Sequence, residues 1–265
     1  MRRALPLLLL ALLGCRRQPT HARIDAAIAP LLPPDTLAVA GLRLDRARQA
    51  GFPLDPTRVT ALAEFQANTG IDPAQSVWEV VWSWRPGHTL AFVRGKFGGE
   101  FGLEPRLDAP GTTRQNYKGY YVLDRAGRGV LFIHSGVAIV GAVEDLRAVV
   151  DSRDRPGAVP PLALIEMVEK LPSCHFYAVA GPGLPVAPAP LTARLWGDFG
   201  SAVTLRAELG FPDAAAARAA LGWARPLLEV SPDGARLLAK AQGDPAWLAA
   251  RAGAISSALE WRRPD

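Results

Sequence analysis

Two apolar runs, Val77 to Trp84 and Thr89 to Phe97, flank the four residues Arg85-Pro86-Gly87-His88. Proline presets the first central position of a tight turn and glycine supplies an easy positive φ at the second, so the runs are read as the arms of one hairpin. An isolated hairpin is marginally stable at best in water, so further strands must flank it. The chain offers short apolar stretches with Gly-containing connections at Thr36 to Leu44, Tyr117 to Leu123, Val130 to His134 and Val137 to Val140. Helical spacing separates them. Ile24, Ala27, Ile28 and Leu31 recur at helical intervals before Pro33-Pro34. Val59, Leu62 and Phe65 share one face of a helix over Thr57 to Asn68, and a helical segment runs from Glu144 to Val150.

Asp151-Ser152-Arg153-Asp154-Arg155-Pro156-Gly157 is polar and broken, which marks a junction between units. Beyond it, Leu162, Ile165, Val168 and Leu171 predict a helix, and Phe176 to Gly181 a strand. Thr192 to Phe199 and Ala202 to Gly210 read as a second hairpin. Asp213 caps an Ala-rich helix through Leu228, Arg236 to Ala241 is a strand, and Asp244 opens a last helix over Pro245 to Trp261. Runs of strands closed by helices predict an α+β fold. The expectation is two tandem small units, residues 24–152 and 153–265, each a mainly antiparallel sheet with helices packed on one face. A short internal repeat supports the division: Leu32-Pro33 precedes Ala38-Val39-Ala40-Gly41 as Leu171-Pro172 precedes Ala178-Val179-Ala180-Gly181. The opening Leu32-Pro33-Pro34-Asp35-Thr36 also resembles that of uncharacterised exported bacterial proteins with a Leu-Pro-x-Asp-Thr start. That resemblance implies export and brings no activity with it.

Of the 265 residues 49% are hydrophobic and 21% charged, a balance that excludes disorder as the main state. The formal charge of +5 comes from 30 basic and 25 acidic residues, with Arg scattered among Asp and Glu in no long run. Such a distribution gives no basis for a nucleic-acid partner, and none is expected.

Met1-Arg2-Arg3-Ala4 is a basic start, and the apolar run from Leu5 to Leu13 ends at Gly14-Cys15. A run this short does not span a bilayer, which needs about 20 residues, but it has the form of a secretory signal peptide. Leu12-Leu13-Gly14-Cys15 resembles the lipobox of bacterial lipoproteins. The resemblance implies cleavage of residues 1–14, acylation of Cys15 and attachment to the membrane through the N-terminal lipid. Arg16 stands where an Asp retains lipoproteins in the inner membrane in the best-known sorting scheme, which implies the outer membrane, facing the periplasm. Residues 15–23 form the lipidated tether. The eight residues from Arg16 to Arg23 reach under ~30 Å at about 3.3–3.6 Å each, so the body is held close to the membrane. With Cys15 acylated, only Cys174 is left, so no intramolecular disulfide forms and Cys174 reads as a small buried hydrophobe.

Chemistry-bearing motifs are sparse. His21, His88, His134 and His175 are isolated and lack metal-ligand spacing. No Gly-x-Ser-x-Gly elbow is present, and Gly95-Lys96-Phe97-Gly98-Gly99 lacks the spacing of a phosphate loop. Glu100 and Glu104, spaced to share a helix face, read as a solvated pair. No catalytic residue, cofactor or metal is therefore expected. One cluster stands out, since strand alternation sets Trp78, Val80, Trp82 and Trp84 on one side and Glu79, Val81 and Ser83 on the other. The bland reading is an aromatic core under a helix. The sharper one is a platform for a glycan, lipid or apolar peptide, extended by Tyr117 and Tyr121. Together these features predict a lipid-anchored cell-envelope protein that acts as a non-catalytic binding or assembly component, with an envelope protein, glycan or lipid as partner. Two alternatives stay open: an envelope hydrolase acting on glycan, peptidoglycan or lipid, marked by His88 or His134 beside a carboxylate in a pocket, and a lipid carrier with a deep cavity.

Overall fold

The computed structural model describes residues 20–53, 55–98, 109–153, 159–184, 187–224 and 229–244. The signal peptide with Cys15, the Glu100 and Glu104 pair and the helix expected over Pro245 to Trp261 lie outside them. Among the described residues twelve strands form one sheet, and every neighbouring pair is antiparallel. In chain order they are β1 (Ala38–Arg43), β2 (Val77–Arg85), β3 (His88–Gly95), β4 (Thr113–Tyr117), β5 (Tyr120–Arg125), β6 (Arg128–His134), β7 (Val137–Ala142), β8 (Phe176–Ala180), β9 (Thr192–Asp198), β10 (Val203–Gly210), β11 (Glu229–Asp233) and β12 (Arg236–Gly243). Across the sheet they run β11-β12-β10-β9-β8-β1-β2-β3-β7-β6-β5-β4.

The α+β class is therefore as expected, but the two stretches do not build separate sheets. They join where β1 pairs with β8, Ala38 opposite Ala180, Val39 opposite Val179 and Ala40 opposite Ala178. Left apart, β1 and β8 would each present a row of unpaired backbone groups, and pairing them removes both edges.

Helices cover both faces rather than one. They are α1 (Leu44–Gln49), α2 (Thr60–Thr69), α3 (Pro73–Ser76), α4 (Val143–Arg153), α5 (Leu162–Glu169) and α6 (Ala214–Ala224). Successive residues of β7 explain the difference, because Ile139 packs into one core with Leu146 and Val149 of α4, and Val140 into another with Leu62 and Phe65 of α2. Adjacent strand residues point to opposite faces, so a strand buried at every position needs a cover on each side. The face of α4 and α5 also carries Val39, Val81, Phe92, Tyr177 and Val179. On the other face α6 covers β11 and β12 around Leu237 and Phe211.

Local chemistry accounts for further differences. The segment from Ile24 to Leu31 forms only a short 3-10 turn, Ala29–Leu31, with Pro30 inside it and the Asp25 carboxylate accepting from the Ala27 N–H at 2.8 Å. It lies along the sheet instead, burying Ile28, Leu31 and Leu32, and is tied at its start by Ala22 N–H to Leu171 O at 3.1 Å. The run from Tyr117 to Leu123 is split by a turn in which Lys118 and Gly119 both take positive φ, 49° and 84°. Two such residues are what a tight hairpin requires, so Tyr117 closes β4 and Tyr120 opens β5. Helix α1 and strands β4 and β11 were not legible in the periodicity.

Candidate functional site

A cleft of about 450 Å³ opens on the face covered by α4, between the N-terminal segment and the β6–β7 turn. Ala27, Pro30 and Leu31 form one wall, Ile133 and His134 the other, and Arg153 stands at the end of α4. Pro30 and Leu31 sit here because prolines keep this segment from closing into a helix that would bury its backbone on itself. Arg153 is exposed, with its guanidinium carbon 5.6 Å from the centre of the Tyr120 ring. The His134 Nδ1 accepts from the Gly136 N–H at 3.1 Å, which fixes the ring on the turn. No carboxylate lines the cleft among the described residues. The walls are aliphatic and the rim carries a cation, an imidazole and the Ser152 hydroxyl, so the concavity mixes polar and apolar surface and suits an amphiphilic ligand.

Both walls are tied to the sheet by one residue. Arg94, on β3, donates from Nε to Asp25 Oδ2 at 3.1 Å and from Nη1 to Gly136 O at 3.0 Å. Asp25 belongs to the N-terminal wall and Gly136 to the β6–β7 turn, so Arg94 clamps one to the other. Directly across the β2–β3 pair from Arg94 is Glu79. It is 7% exposed, and its Oε1 is buried without a hydrogen-bond partner. Burial raises its pKa to about 7, against the pull of the Arg43 and Arg94 guanidinium groups. Tyr177 crosses this region from β8, its ring lying where a side chain on Gly41 would stand. Its hydroxyl is buried and also unpartnered.

The aromatic residues singled out in the sequence do not form one platform. A β-bulge between Val77 and Glu79 breaks the alternation at Trp78, which is 42% exposed with the Arg94 guanidinium carbon 5.8 Å from its ring centre. Trp82 packs half-buried against the core beneath α2, and Trp84 is half-buried two residues on. Tyr117 instead packs against the core of the opposite face, with its hydroxyl donating to Asp151 at 2.9 Å. Tyr121 lies under Arg114, whose guanidinium carbon is 3.4 Å from the ring centre.

His88 is beside a carboxylate, Asp145, at 3.1 Å, but Asp145 is also held by Arg85 at 2.8 Å. That cluster pins the β2–β3 turn to the first turn of α4 and contributes nothing to the cleft lining. The Cys174 thiol is half-buried and its pKa is raised to about 12, chiefly by burial, so it is a neutral thiol at ordinary pH. Among the described residues no three His, Cys, Asp or Glu side chains converge as a metal site, and no helix is long and apolar enough to cross a membrane.

Sequence reasoning passed over Glu79 and Arg94, though a signal was present. The two-residue turn pairs Arg85 with His88, and counting back along both strands sets Glu79 opposite Arg94. Asp25 and Tyr177 had no such signal, because they reach the site from distant parts of the chain.

No protein-family profile and no curated protein matches this chain. Solved structures of TP0453 are similar to it. Its crystal form I is 12% identical with a TM-score of 0.53, covering 89% of this chain and 98% of that one. Crystal form III is 12% identical with a TM-score of 0.54, covering 86% and 97%. At this identity the likeness shows a shared fold.

Proposed function

We propose that this protein is a lipid-anchored component of the bacterial cell envelope that acts by binding, with the cleft beside Arg153 as its ligand site and Cys15 as its membrane anchor. The observation that carries the reading is the lining itself: aliphatic walls from Ala27, Pro30, Leu31 and Ile133, and a polar rim of His134, Ser152 and Arg153. An apolar segment with a polar or anionic end fits that distribution. The short tether after Cys15 keeps such a ligand near the outer membrane, on its periplasmic side. A hydrolase would need its acid and base where a ligand sits, and His88 with Asp145 stand elsewhere, bound into a structural ion pair.

The finer architectural reading belongs to the same proposal: two α+β units, 24–152 and 153–265, fused through β1 and β8. Its support is the matching order on each side of the join, with β1 followed outward by β2 and β3, and β8 by β9 and β10. Each third strand then pairs with a later one, β3 with β7 and β10 with β12.

Mass spectrometry of the full chain extracted gently from cells tests both parts. The native chain is expected to carry acyl mass on Cys15 and a co-purifying apolar ligand, and Ala27→Trp, which fills the cleft, is expected to lose the ligand and keep the acyl groups. Equal ligand content in the two chains would overturn the site. A chain that begins before Cys15, or that lacks acyl mass, would overturn the anchor.

A further inference from the structure

Two cations stand next to Glu79, and both are engaged elsewhere. Arg43, its partner on β1, donates to Asp45 of α1 at 3.2 and 3.3 Å. Arg94, its partner on β3, is held by Asp25 and by the Gly136 carbonyl. Glu79 Oε1 is left without a hydrogen bond in a buried position. An ionised carboxylate is strongly disfavoured there unless it is paired, whereas a neutral one is tolerated. The arrangement thus suits a protonated Glu79. A negative charge on it would compete with Asp25 for the guanidinium of Arg94, which is already alongside.

We propose that Glu79 is a proton-operated switch for the Arg94 clamp: neutral Glu79 leaves Arg94 on Asp25 with the N-terminal wall held down, and ionised Glu79 draws Arg94 off Asp25 and loosens that wall. The consequence for ligand uptake rests on the cleft being the binding site. The switch itself does not.

The groups facing Glu79 permit this from every side. Arg43 comes from β1, Asp45 from α1, Arg94 from β3, Asp25 from the N-terminal wall and Tyr177 from β8. Burial opposes ionisation of Asp25, but the Ala27 N–H and Arg94 hold its carboxyl below the usual carboxylate range, so it stays charged. Burial drives the Tyr177 hydroxyl well above its ordinary value, so it stays neutral. Glu79, its pKa raised to about 7 by burial, crosses its midpoint near neutrality. His134 stands on the turn that Arg94 also holds, so its replacement is the control for an effect that arises at that turn.

Hydrogen exchange of the full chain at pH 6 and pH 8, corrected for intrinsic rates and read without added ligand over residues 22–32, separates the outcomes. The native chain is expected to lose roughly tenfold in protection at pH 8, an effect of about one pKa unit of differential interaction. Glu79→Gln is expected to be protected at both values, Asp25→Asn at neither, and His134→Gln to behave as the native chain. Equal protection of the native chain at both pH values would overturn the switch, as would a pH dependence that survives in Glu79→Gln or disappears in His134→Gln. The Glu79 carboxyl carbon, followed by NMR through a pH titration of the unmutated protein, guards against a variant that fails to fold. Titration with the ordinary carboxylates would sink the proposal. Because no ligand enters either measurement, loss of the ligand site and loss of the switch are distinguishable results.

Discussion

Strands β3 and β7 lie in a sheet covered on both sides, whereas β10 and β12 are covered on one. In β7 every position from Val137 to Gly141 is buried, while β12 alternates exposed and buried residues from Arg236 to Lys240. The apolar face of β10 and β12 meets α6, and the other presents Arg206, Glu208 and Lys240 in cross-strand rows. A strand can afford a continuous apolar sequence only where both its faces find a cover, so the letters of each strand report how many layers surround it. Glu79, an acid on a doubly covered strand, consequently lacks the water that its counterpart Glu208 retains. Glu208 faces Arg194 and Arg236 at 3.9 and 3.4 Å while staying about a quarter exposed.

The largest test of this contrast is Phe92→Ala, at a fully buried site in the doubly covered region. Chemical denaturation is expected to show a loss of about 3–5 kcal/mol. A loss below ~1 kcal/mol would mean that this part of the sheet is not the rigid one. Asp145→Ala removes the nearer of the two carboxylates on Arg85, from a pair whose side chains are 14% and 7% exposed, leaving the exposed Asp35 at 3.5 Å, and about 2–3 kcal/mol should disappear with it.

A comparable change is expected with pH alone. Folding raises the Glu79 pKa from 4.5 to about 7, so between those values the folded chain keeps a proton that the unfolded chain has released. Stability therefore falls as pH rises through this window, by about 3 kcal/mol once above it, with no contribution below 4.5. Denaturation curves of Glu79→Gln should lack that decline, and an unchanged slope would sharpen the question of which other group carries it.

Gly41→Ala should cost about 1–3 kcal/mol, because the new methyl meets the Tyr177 ring. Tyr177→Phe, which deletes a buried hydroxyl without a partner, should be neutral or stabilising by up to about 1 kcal/mol. In the singly covered region Glu208→Ala is expected to change stability by no more than ~0.5 kcal/mol. A larger effect there would erase the distinction between the two regions.

Several elements were legible because their cause is local. Pro86-Gly87 set the β2–β3 hairpin and its register, Gly70 at φ 71° ended α2, and Asp213 capped α6 through the Ala216 N–H. The failures share a different cause. Helical spacing of Ile24, Ala27, Ile28 and Leu31 was overridden by Pro30 and by burial along the sheet, and the Trp78 alternation by a bulge that a pattern of apolar letters does not reveal. For the candidate site, Ile133, His134 and Arg153 were present as letters in a strand end, a turn and a junction. Nothing in their spacing brought them against Pro30 and Leu31.

The amino-acid order by itself determined the α+β class, most strands, the turn residues and the hairpin register, since each follows from contacts a few residues apart. Only the tertiary structure decided that the two stretches share one sheet, that helices cover both its faces, and that Glu79, Arg94, Asp25 and Tyr177 meet beneath the N-terminal segment. Those outcomes depend on which edge pairs with which and on how much water is expelled, and both are properties of the assembled molecule rather than of any stretch of it.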